Sequence, residues 1–452
     1  MPIARATQSA ASPASPTSGQ RSWSSATRVL FRFGFIYLVL YSLIPLTLLS
    51  TTLLHRPWLS IESRKLWTAL SALAAMHIFQ VSRFDRTFFA SDSVLGWSLV
   101  GSFVAVSAAA TILWSAADRR RQEYSRLHAW LRVIVQAVLA LTLVDYGAQK
   151  IWPNQMPVPR LHQLLSELGS YSPGQLFWVF VGASPGYERF AGFIELLAGG
   201  LLFVPALTTL GALLAFIATA QVFAFNVYYD VQVKVFSFHL FLMAAFLLVP
   251  DIRRLADALI FARATAPSQR PPLFASRRLA QAASLGSLLV GAAVIVNALW
   301  FCHANTRFFN PDPSAIPSYG IWDIEDFSMD GSSRPPLLTD EVRWQKIVFD
   351  DLNSAYIQRM NGAVIRTRLQ RDASRGVMTI TSLGDPRPEM QDFAGSKWKA
   401  ELNTQIISPD VILLSGKYNR SSVTVKLRRS QIRFLLRPQE THWVLHERGD
   451  FN

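Results

Sequence analysis

The chain has 452 residues, of which 50% are hydrophobic and only 16% are charged, and the apolar residues are concentrated before residue 303. This composition is typical of a polytopic membrane protein with an attached polar domain. The formal net charge is +14, but residues 303–452 hold 20 Lys and Arg against 18 Asp and Glu, which leaves +12 for the membrane part. Because basic loops orient membrane proteins, this distribution indicates membrane insertion and gives no support to nucleic acid as a partner.

Seven membrane spans are predicted from the apolar segments. A bilayer core of about 30 Å requires roughly 20 apolar residues in a helix. The segments that meet or approach this length are residues 29–53, 94–116, 129–149, 190–204, 207–226, 235–250 and 280–301. Residues 66–80 are also apolar, but the segment is short and flanked by basic residues. We therefore expect an interfacial or re-entrant helix there rather than a further span.

The loop charges predict how these spans are oriented. Residues 1–25 are rich in Ser, Ala and Pro, which predicts a disordered tail. This tail, the loop DRRRQEYSR at 118–126 and the loop at 253–278 would lie on one side of the membrane and are rich in arginine. The positive-inside rule therefore predicts a cytoplasmic N-terminus and, after seven spans, an external C-terminal domain.

From about residue 321 onward the hydrophobic period changes to two, which is typical of β-strands. Short alternating segments, separated by turn residues, occupy residues 343–350, 354–360, 364–370, 377–383, 398–407, 411–418, 422–429 and 442–447. This spacing predicts an antiparallel meander that is closed, or nearly closed, into a small barrel. The segment LLTDEVRW at 337–344 predicts a short helix before it.

The predicted organisation follows from these segments. It comprises a disordered cytoplasmic tail (1–25), N-terminal spans with the interfacial helix (26–128), a four-helix core (129–255), a cytoplasmic loop with the last span (256–302), a linker (303–320) and an external β domain (321–452).

The four-helix core contains ionisable residues, which are costly inside a bilayer and usually face a partner or a cavity. Lys150 ends the third span, and Glu195 shares a helix face with Gly192 and Gly199 in the fourth. Small residues beside a carboxylate predict close packing against another helix, with Glu195 facing the bundle interior. A snorkelling role for Lys150 and a structural ion pair of Glu195 are open alternatives.

Further candidates lie near the start of the sixth span. Asp230 and Lys234 are four residues apart and could pair if that turn is helical. His239 lies deeper among aromatic residues, where it would either hydrogen-bond across helices or carry a proton. In the predicted topology all these groups fall in the outer half of the membrane. We therefore predict one polar site, with Glu195, His239 and Lys234 as catalytic groups and Lys150, Arg189, Asp230 and Tyr146 as substrate-binding groups.

Three motifs of this region resemble the DoxX family of bacterial membrane proteins. They are YGxxKxxP at 146–153, FAGxxELLAGGLL at 190–202 and DVxVKxFSxHLxLMAxFLLxPD at 230–251. The layout, with flanking spans and a C-terminal β region, is similar to large members of that family, although the terminal HWVLHERGDFN departs from their usual ending. The resemblance implies a four-helix core in the bacterial cytoplasmic membrane. By analogy with membrane subunits of thiosulfate:quinone oxidoreductases, it also implies a link to quinone chemistry.

Two functions compete on this basis. The first is a quinone-linked membrane oxidoreductase, or a subunit of one, that contacts membrane lipids and a redox partner subunit. The second is a membrane-anchored binding or assembly protein whose β domain recognises a lipid, a peptide or a partner subunit. A transporter is less favoured, because the sequence has no inverted repeat.

The sequence offers no motif for haem, for NAD or for a metal. The single cysteine, Cys302, excludes a cysteine redox pair within the chain. His442 and His446 have a spacing that suits metal ligands on a helix. In a strand they would be about 13 Å apart, which is too far to bind one ion.

Overall fold

The computed structural model describes residues 23–48, 57–81, 92–265, 273–372, 374–383, 398–434 and 436. These residues form a helical part followed by a β-barrel, which confirms the predicted fold class. Three predicted features lie mostly or wholly outside the described residues: the tail, the end of the first span at 49–53 and the last strand at 442–447 with its two histidines.

The helices in chain order are α1 (Ser25–Leu48), α2 (Pro57–His77), α3 (Val94–Ala117), α4 (Ser125–Ile151), α5 (Leu161–Leu165), α6 (Pro173–Gly182), α7 (Pro185–Leu202), α8 (Thr208–Tyr228), α9 (Lys234–Leu248), α10 (Ile252–Leu259) and α11 (Arg277–Phe309). Within the described ranges, six segments are long and apolar enough to cross a membrane, as expected of a multi-pass membrane protein: Ser25–Leu46, Val94–Ala117, Ser125–Ile151, Pro205–Tyr228, Lys234–Leu259 and Arg277–Phe309. Neither α2 nor α7 is among them. α7 contains most of the predicted fourth span at 190–204, but its 18 residues include Glu188, Arg189 and Glu195.

Four helices, α4, α7, α8 and α9, pack in a ring that corresponds to the predicted core. Neighbouring helices in the ring run antiparallel, so the C-terminal ends of α4 and α8 lie beside the N-terminal ends of α7 and α9. A hydrogen bond of 2.9 Å from Asn226 Nδ2 to Ser237 Oγ joins two of these ends. α11 packs against α4 and α7. At the same end of the bundle, Asn154 Nδ2 donates to the Cys302 carbonyl oxygen at 2.8 Å. The C-terminal end of α11, which leads into the barrel, therefore lies at this end.

Glycines allow α4 and α7 to approach each other closely. A Cβ atom added at Gly192 would lie 2.7 Å from the carbonyl oxygen of Gly147, and one added at Gly199 would lie 2.9 Å from that of Ala140. Small residues at such spacing let helix backbones come together within a membrane. The prediction that the face with Gly192 and Gly199 packs against another helix is therefore confirmed.

Basic loops meet at the opposite end of the bundle. Arg28 in α1 donates to the carbonyl oxygen of Arg121 at 2.9 Å. The buried Arg32 donates to the Tyr124 hydroxyl at 2.6 Å and to the Asp118 carbonyl oxygen at 2.7 Å. The start of α1 and the loop between α3 and α4 therefore share one side of the bundle, away from the barrel.

The barrel consists of β1 (Gly320–Met329), β2 (Ser332–Ser333), β3 (Trp344–Phe349), β4 (Ser354–Arg359), β5 (Val364–Asp372), β6 (Val377–Ser382), β7 (Lys399–Ser408), β8 (Val411–Tyr418) and β9 (Ser421–Arg429). The strand order is β2-β1-β3-β4-β5-β6-β7-β8-β9, and the two-residue β2 lies outside the ring. β1 also pairs antiparallel with β9, with Ile324 opposite Leu427, and this pairing closes the barrel. Inward-facing side chains fill its interior, among them Trp322, Phe327, Trp344, Ile347, Leu402 and Leu414.

The predicted short helix at 337–344 is wrong. These residues form turns, and Trp344 begins β3. Asp340 Oδ1 accepts hydrogen bonds from the backbone N–H groups of Val342 at 2.8 Å and Arg343 at 3.0 Å. Side-chain acceptors of this kind compete with the hydrogen bonds of a helix. The buried Arg343 guanidinium donates to the Trp344 carbonyl oxygen at 3.0 Å, which holds the turn against the barrel.

The segment between α4 and α6 attaches the barrel to the bundle. His162 donates its backbone N–H to Asp350 Oδ2 at 2.9 Å, its Nδ1 lies 2.8 Å from the same oxygen, and its ring stacks on Tyr356 at 3.5 Å between centroids. Arg160 Nη1 donates to Asp351 Oδ2 at 2.8 Å. Burial raises the pKa of Tyr356, so the stacked phenol stays neutral. These contacts place the barrel over the end of the bundle that holds Lys150 and Glu195.

We expect Gly192→Ala to destabilise the bundle, because the added methyl group would collide with the backbone of α4. Overpacking of this kind costs about 1–3 kcal/mol. The thermal unfolding midpoint of the purified protein in detergent should fall. Gly286→Ala in α11 is the matched control, because a Cβ atom there has no heavy atom within 4 Å. Equal midpoints for the two variants would contradict the close contact of α4 and α7.

We expect Asp350→Ala to loosen the barrel from the bundle, because the substitution removes both hydrogen bonds between His162 and Asp350. Hydrogen–deuterium exchange of the amides at 160–166 should become faster. Asp410→Ala is the control, since Asp410 makes an exposed ion pair with Arg429 at 3.3 Å and such pairs contribute little. Unchanged exchange at 160–166 in Asp350→Ala would rule out this attachment.

Candidate functional site

A buried ion pair joins α4 to α7. Lys150 Nζ donates to Glu195 Oε1, and the two side chains are only 8% and 7% exposed. The glycine contact of the two helices brings Lys150 and Glu195 together, since a Cβ atom at Gly192 would lie 2.7 Å from Lys150 Cβ. The other oxygen of Glu195, Oε2, is buried and has no hydrogen-bond partner in the part of the chain that the structure describes. An unpaired buried carboxylate oxygen is costly unless a donor reaches it.

A second buried carboxyl group, Glu188, belongs to the same site. Its Oε1 accepts a hydrogen bond from the Met156 backbone N–H at 3.0 Å, and its Oε2 has no partner among the residues described. Lys150 lies close enough to act on it electrostatically. The sequence prediction missed Glu188, although it precedes Glu195 by seven residues, or two helical turns, and so shares its face. The site therefore holds two carboxyl groups and one ammonium group.

A cavity of about 190 Å³ adjoins these three groups. Its lining is mostly apolar and aromatic, with a few polar groups from the ends of α4, α8 and α9. The lining includes Tyr146, Lys150, Gln155, Phe177, Trp178, Phe180, Tyr187, Glu188, Phe190, Glu195, Phe225, Asn226, Phe236 and Ser237. Apolar walls with a small number of placed polar groups are typical of small-molecule sites.

The cavity reaches the outer surface of the bundle between α6 and α7. Phe180, Tyr187 and Phe190 line it, and all three side chains are also exposed on the surface of the protein. A gap edged by aromatic rings at the level of the helix ends suits the entry of an apolar molecule from the bilayer.

Lys234 and Asp230 form a pair outside this cavity. Lys234 Nζ lies 2.6 Å from Asp230 Oδ1 and 3.4 Å from Asp92 Oδ2. The predicted contact of Lys234 with Asp230 is present, although Asp230 lies in a turn with a positive φ of 52° rather than in a helix. Asp92, which the sequence prediction missed, also accepts hydrogen bonds from the first backbone N–H groups of α9.

His239 also lies outside the cavity lining. The Tyr37 hydroxyl lies 2.6 Å from its Nε2, and its Nδ1 lies 2.7 Å from the Val235 carbonyl oxygen. With Nδ1–H donating to the carbonyl and Tyr37 donating to Nε2, we assign the imidazole as neutral. Tyr41 stacks on the ring at 3.7 Å between centroids. Both tyrosines belong to α1, about 200 residues earlier in the chain. The spacing of residues within the four-helix core could not have indicated this contact.

The structure therefore separates the predicted site into distinct groups. Lys150, Glu195 and Tyr146 line the cavity, whereas Lys234 and Asp230 form a surface pair and His239 contacts α1. Arg189 is exposed on α7 and does not line the cavity. No group of three or more His, Cys, Asp or Glu residues in the described ranges is arranged to hold a metal ion.

Comparisons of the chain with models of protein families, with curated proteins and with solved structures found no match.

We expect Lys150→Met and Glu195→Leu each to destabilise the protein strongly, because each leaves one buried charge without its partner. Breaking a buried pair in this way costs about 3–5 kcal/mol, whereas removing both charges is often nearly neutral. The double variant should therefore unfold at a higher temperature than either single variant. The exposed pair of Lys65 and Glu62 is the control, and the destabilisation caused by Lys65→Met and by Glu62→Leu should be small and nearly additive. Additive losses at Lys150 and Glu195 would contradict the buried ion pair.

Proposed function

We propose that the helical bundle is a quinone-reactive site and that the chain is a quinone-linked membrane protein. One observation carries the proposal: a buried acid–base pair and a second buried carboxyl group adjoin an aromatic-walled cavity that reaches the surface of the bundle. The motifs at 146–153, 190–202 and 230–251, which resemble the DoxX family, lie on the helices that form this cavity. Membership of that family is part of the proposal.

The charge balance of the cavity supports proton exchange. Among the described residues that line the cavity, Glu188 and Glu195 provide the carboxyl groups and Lys150 provides the ammonium group. Two ionised carboxylates and one ammonium would leave a net negative charge in an apolar site, which is costly. A proton held by one carboxyl group removes that charge. The site can then release this proton to a ligand and take up another.

The polar and apolar groups suit a quinone ring. A cavity of about 150 Å³ admits benzene, so a cavity of about 190 Å³ has room for a substituted six-membered ring. Lys150 would donate to a quinone carbonyl oxygen, and Glu195 Oε2 would accept from a quinol hydroxyl group. Aromatic walls such as Phe177 and Phe236 would pack against the ring. The isoprenoid tail of the quinone would leave between Phe180 and Phe190 into the lipid.

The chemistry requires both protons and electrons. Reduction of a quinone to a quinol consumes two electrons and two protons, and oxidation releases them. The proposal assigns proton transfer to Glu195 and Glu188 and assigns the electrons to a redox partner subunit. Lys234 and His239, which the sequence suggested as catalytic groups, do not line the cavity, and the proposal gives them no part in proton transfer.

The proposed location is the cytoplasmic membrane of a bacterium, with the N-terminus in the cytoplasm and the barrel outside. Arg28, Arg32 and Arg121 lie together at the end of the bundle away from the barrel. By the positive-inside rule, this clustering of arginines supports a cytoplasmic position for that end.

The alternative function is a binding or assembly role of the barrel. Its interior is filled by its own side chains, so a ligand or partner subunit would have to bind to the outer surface of the barrel. A barrel fixed over the cavity by His162 and Arg160 also suits a docking platform for the redox partner subunit. Pull-down of such a subunit by the intact protein with an empty bundle would favour this alternative.

We expect the purified protein to retain a quinone and Glu195→Gln to lose it. Glutamine keeps the shape of the side chain but removes its charge, and a charged hydrogen bond of about 1.5–3 kcal/mol corresponds to roughly ten- to a hundredfold in affinity. Mass spectrometry of lipids extracted from equal amounts of folded protein measures the retained quinone.

Lys234→Gln and His239→Gln are the controls for this experiment, since both side chains are ionisable and lie outside the cavity lining. Both should retain the quinone. An empty wild-type protein, or equal retention by Glu195→Gln, would overturn the proposed site. Loss of the quinone in His239→Gln alone would indicate that His239, as the sequence analysis suggested, exchanges the proton.

A further inference from the structure

A polar cleft of about 740 Å³ lies between the bundle and the barrel. Three segments form it: residues 162–178, the turn at 230–232 and the turn between β4 and β5. Its lining includes His162, Gln163, Glu167, Tyr171, Gln175, Trp178, Asp230 and Asn361. The attachment of His162 to Asp350 and Tyr356 holds the first of these segments against the barrel. The cleft is open to solvent, and carboxylate, amide and hydroxyl groups in its lining can bind water.

Helix α6 separates this cleft from the apolar cavity. It begins with a capping box in which Ser172 Oγ accepts from the Gln175 N–H at 3.3 Å and Gln175 Oε1 accepts from the Ser172 N–H at 3.0 Å. Gly174 and Gln175 line the cleft, whereas Phe177 and Phe180 line the cavity. The two faces of this short helix thus border a polar space on one side and an apolar space on the other.

Trp178 lines both spaces. Its side chain is partly buried, and its ring packs against Phe177 at 5.4 Å between centroids. On the cavity side, Gln155 Oε1 and Glu188 Oε2 are buried and without hydrogen-bond partners among the residues described. Buried polar atoms of this kind are normally satisfied by protein groups or by water. The Trp178 side chain therefore separates the polar cleft from Gln155 Oε1 and Glu188 Oε2, which water could satisfy.

We propose that the cleft is the aqueous entrance of the bundle site, through which water and protons reach Glu188 past Trp178. The ligand then enters from the lipid between α6 and α7, and its protons arrive from the barrel side. The use of these protons rests on the proposed quinone function, but the aqueous connection does not. It predicts that a small hydrophilic reagent reaches the cavity even without any ligand.

Cysteine accessibility tests this connection in lipid nanodiscs. In a Cys302→Ser background, single cysteines replace Ser170 in the cleft, Ala191 in the cavity and Phe193 on the exposed surface of α7. Each variant is treated with a charged, membrane-impermeant methanethiosulfonate reagent. We expect Ser170→Cys and Ala191→Cys to react and Phe193→Cys, which faces lipid, to remain unmodified. Gln155→Cys is a second reporter for the cavity.

Trp178→Ala identifies the route. It should raise the rate of modification at the Ala191→Cys and Gln155→Cys positions by about tenfold or more, equivalent to a barrier lower by about 1.4 kcal/mol, without changing the rate at Ser170→Cys. If the cavity cysteines stay unmodified both with Trp178 and with Trp178→Ala while Ser170→Cys reacts, the cleft is not the aqueous entrance of the site. Modification that is unaffected by Trp178→Ala would overturn the role of this residue. A bundle without quinone but with this reactivity would refute only the proposed function.

Discussion

The buried ion pair of Lys150 and Glu195 constrains how α4 and α7 pack against each other. Burial of either charge alone costs several kcal/mol, so the pair is stable only while α4 and α7 hold the two groups in contact. Gly147, Gly192 and Gly199 make this possible, because side chains at these positions would keep the backbones apart. The same contact fixes the depth of Glu195 and places Glu188 two turns nearer the barrel.

Two further elements complete the site at this end of the bundle. Helix α6 covers the cavity with its aromatic face and borders the polar cleft with its other face. The barrel is held above it through His162 and Arg160, which bind Asp350 and Asp351. The site therefore lies between the exposed aromatic edge of the bundle and the cleft under the barrel, an arrangement that suits the proposed entry of an apolar ring from lipid and of protons from water. A buried acid–base pair at such a boundary is suited to proton-coupled chemistry.

Part of this arrangement could be predicted from the sequence. The change of hydrophobic period located the helical part and the barrel, and the spacing of Gly192, Glu195 and Gly199 identified the face that packs on α4. Helical spacing relates residues of one element only. It could not predict the contact between Tyr37 and His239, which are 202 positions apart, nor show that Lys234 and Glu195 lie at different sites. The helix expected at 337–344 failed because the hydrogen bonds of Asp340 stabilise a turn instead.

The most direct test is an experimental structure of the protein in lipid nanodiscs with an added short-chain benzoquinone. We expect planar density in the cavity, between Phe177 and Phe236, with one carbonyl oxygen within hydrogen-bond distance of Lys150 Nζ and the ring beside Glu195. An acyl chain in the cavity, or a quinone bound elsewhere while Lys150 and Glu195 remain paired, would contradict this expectation.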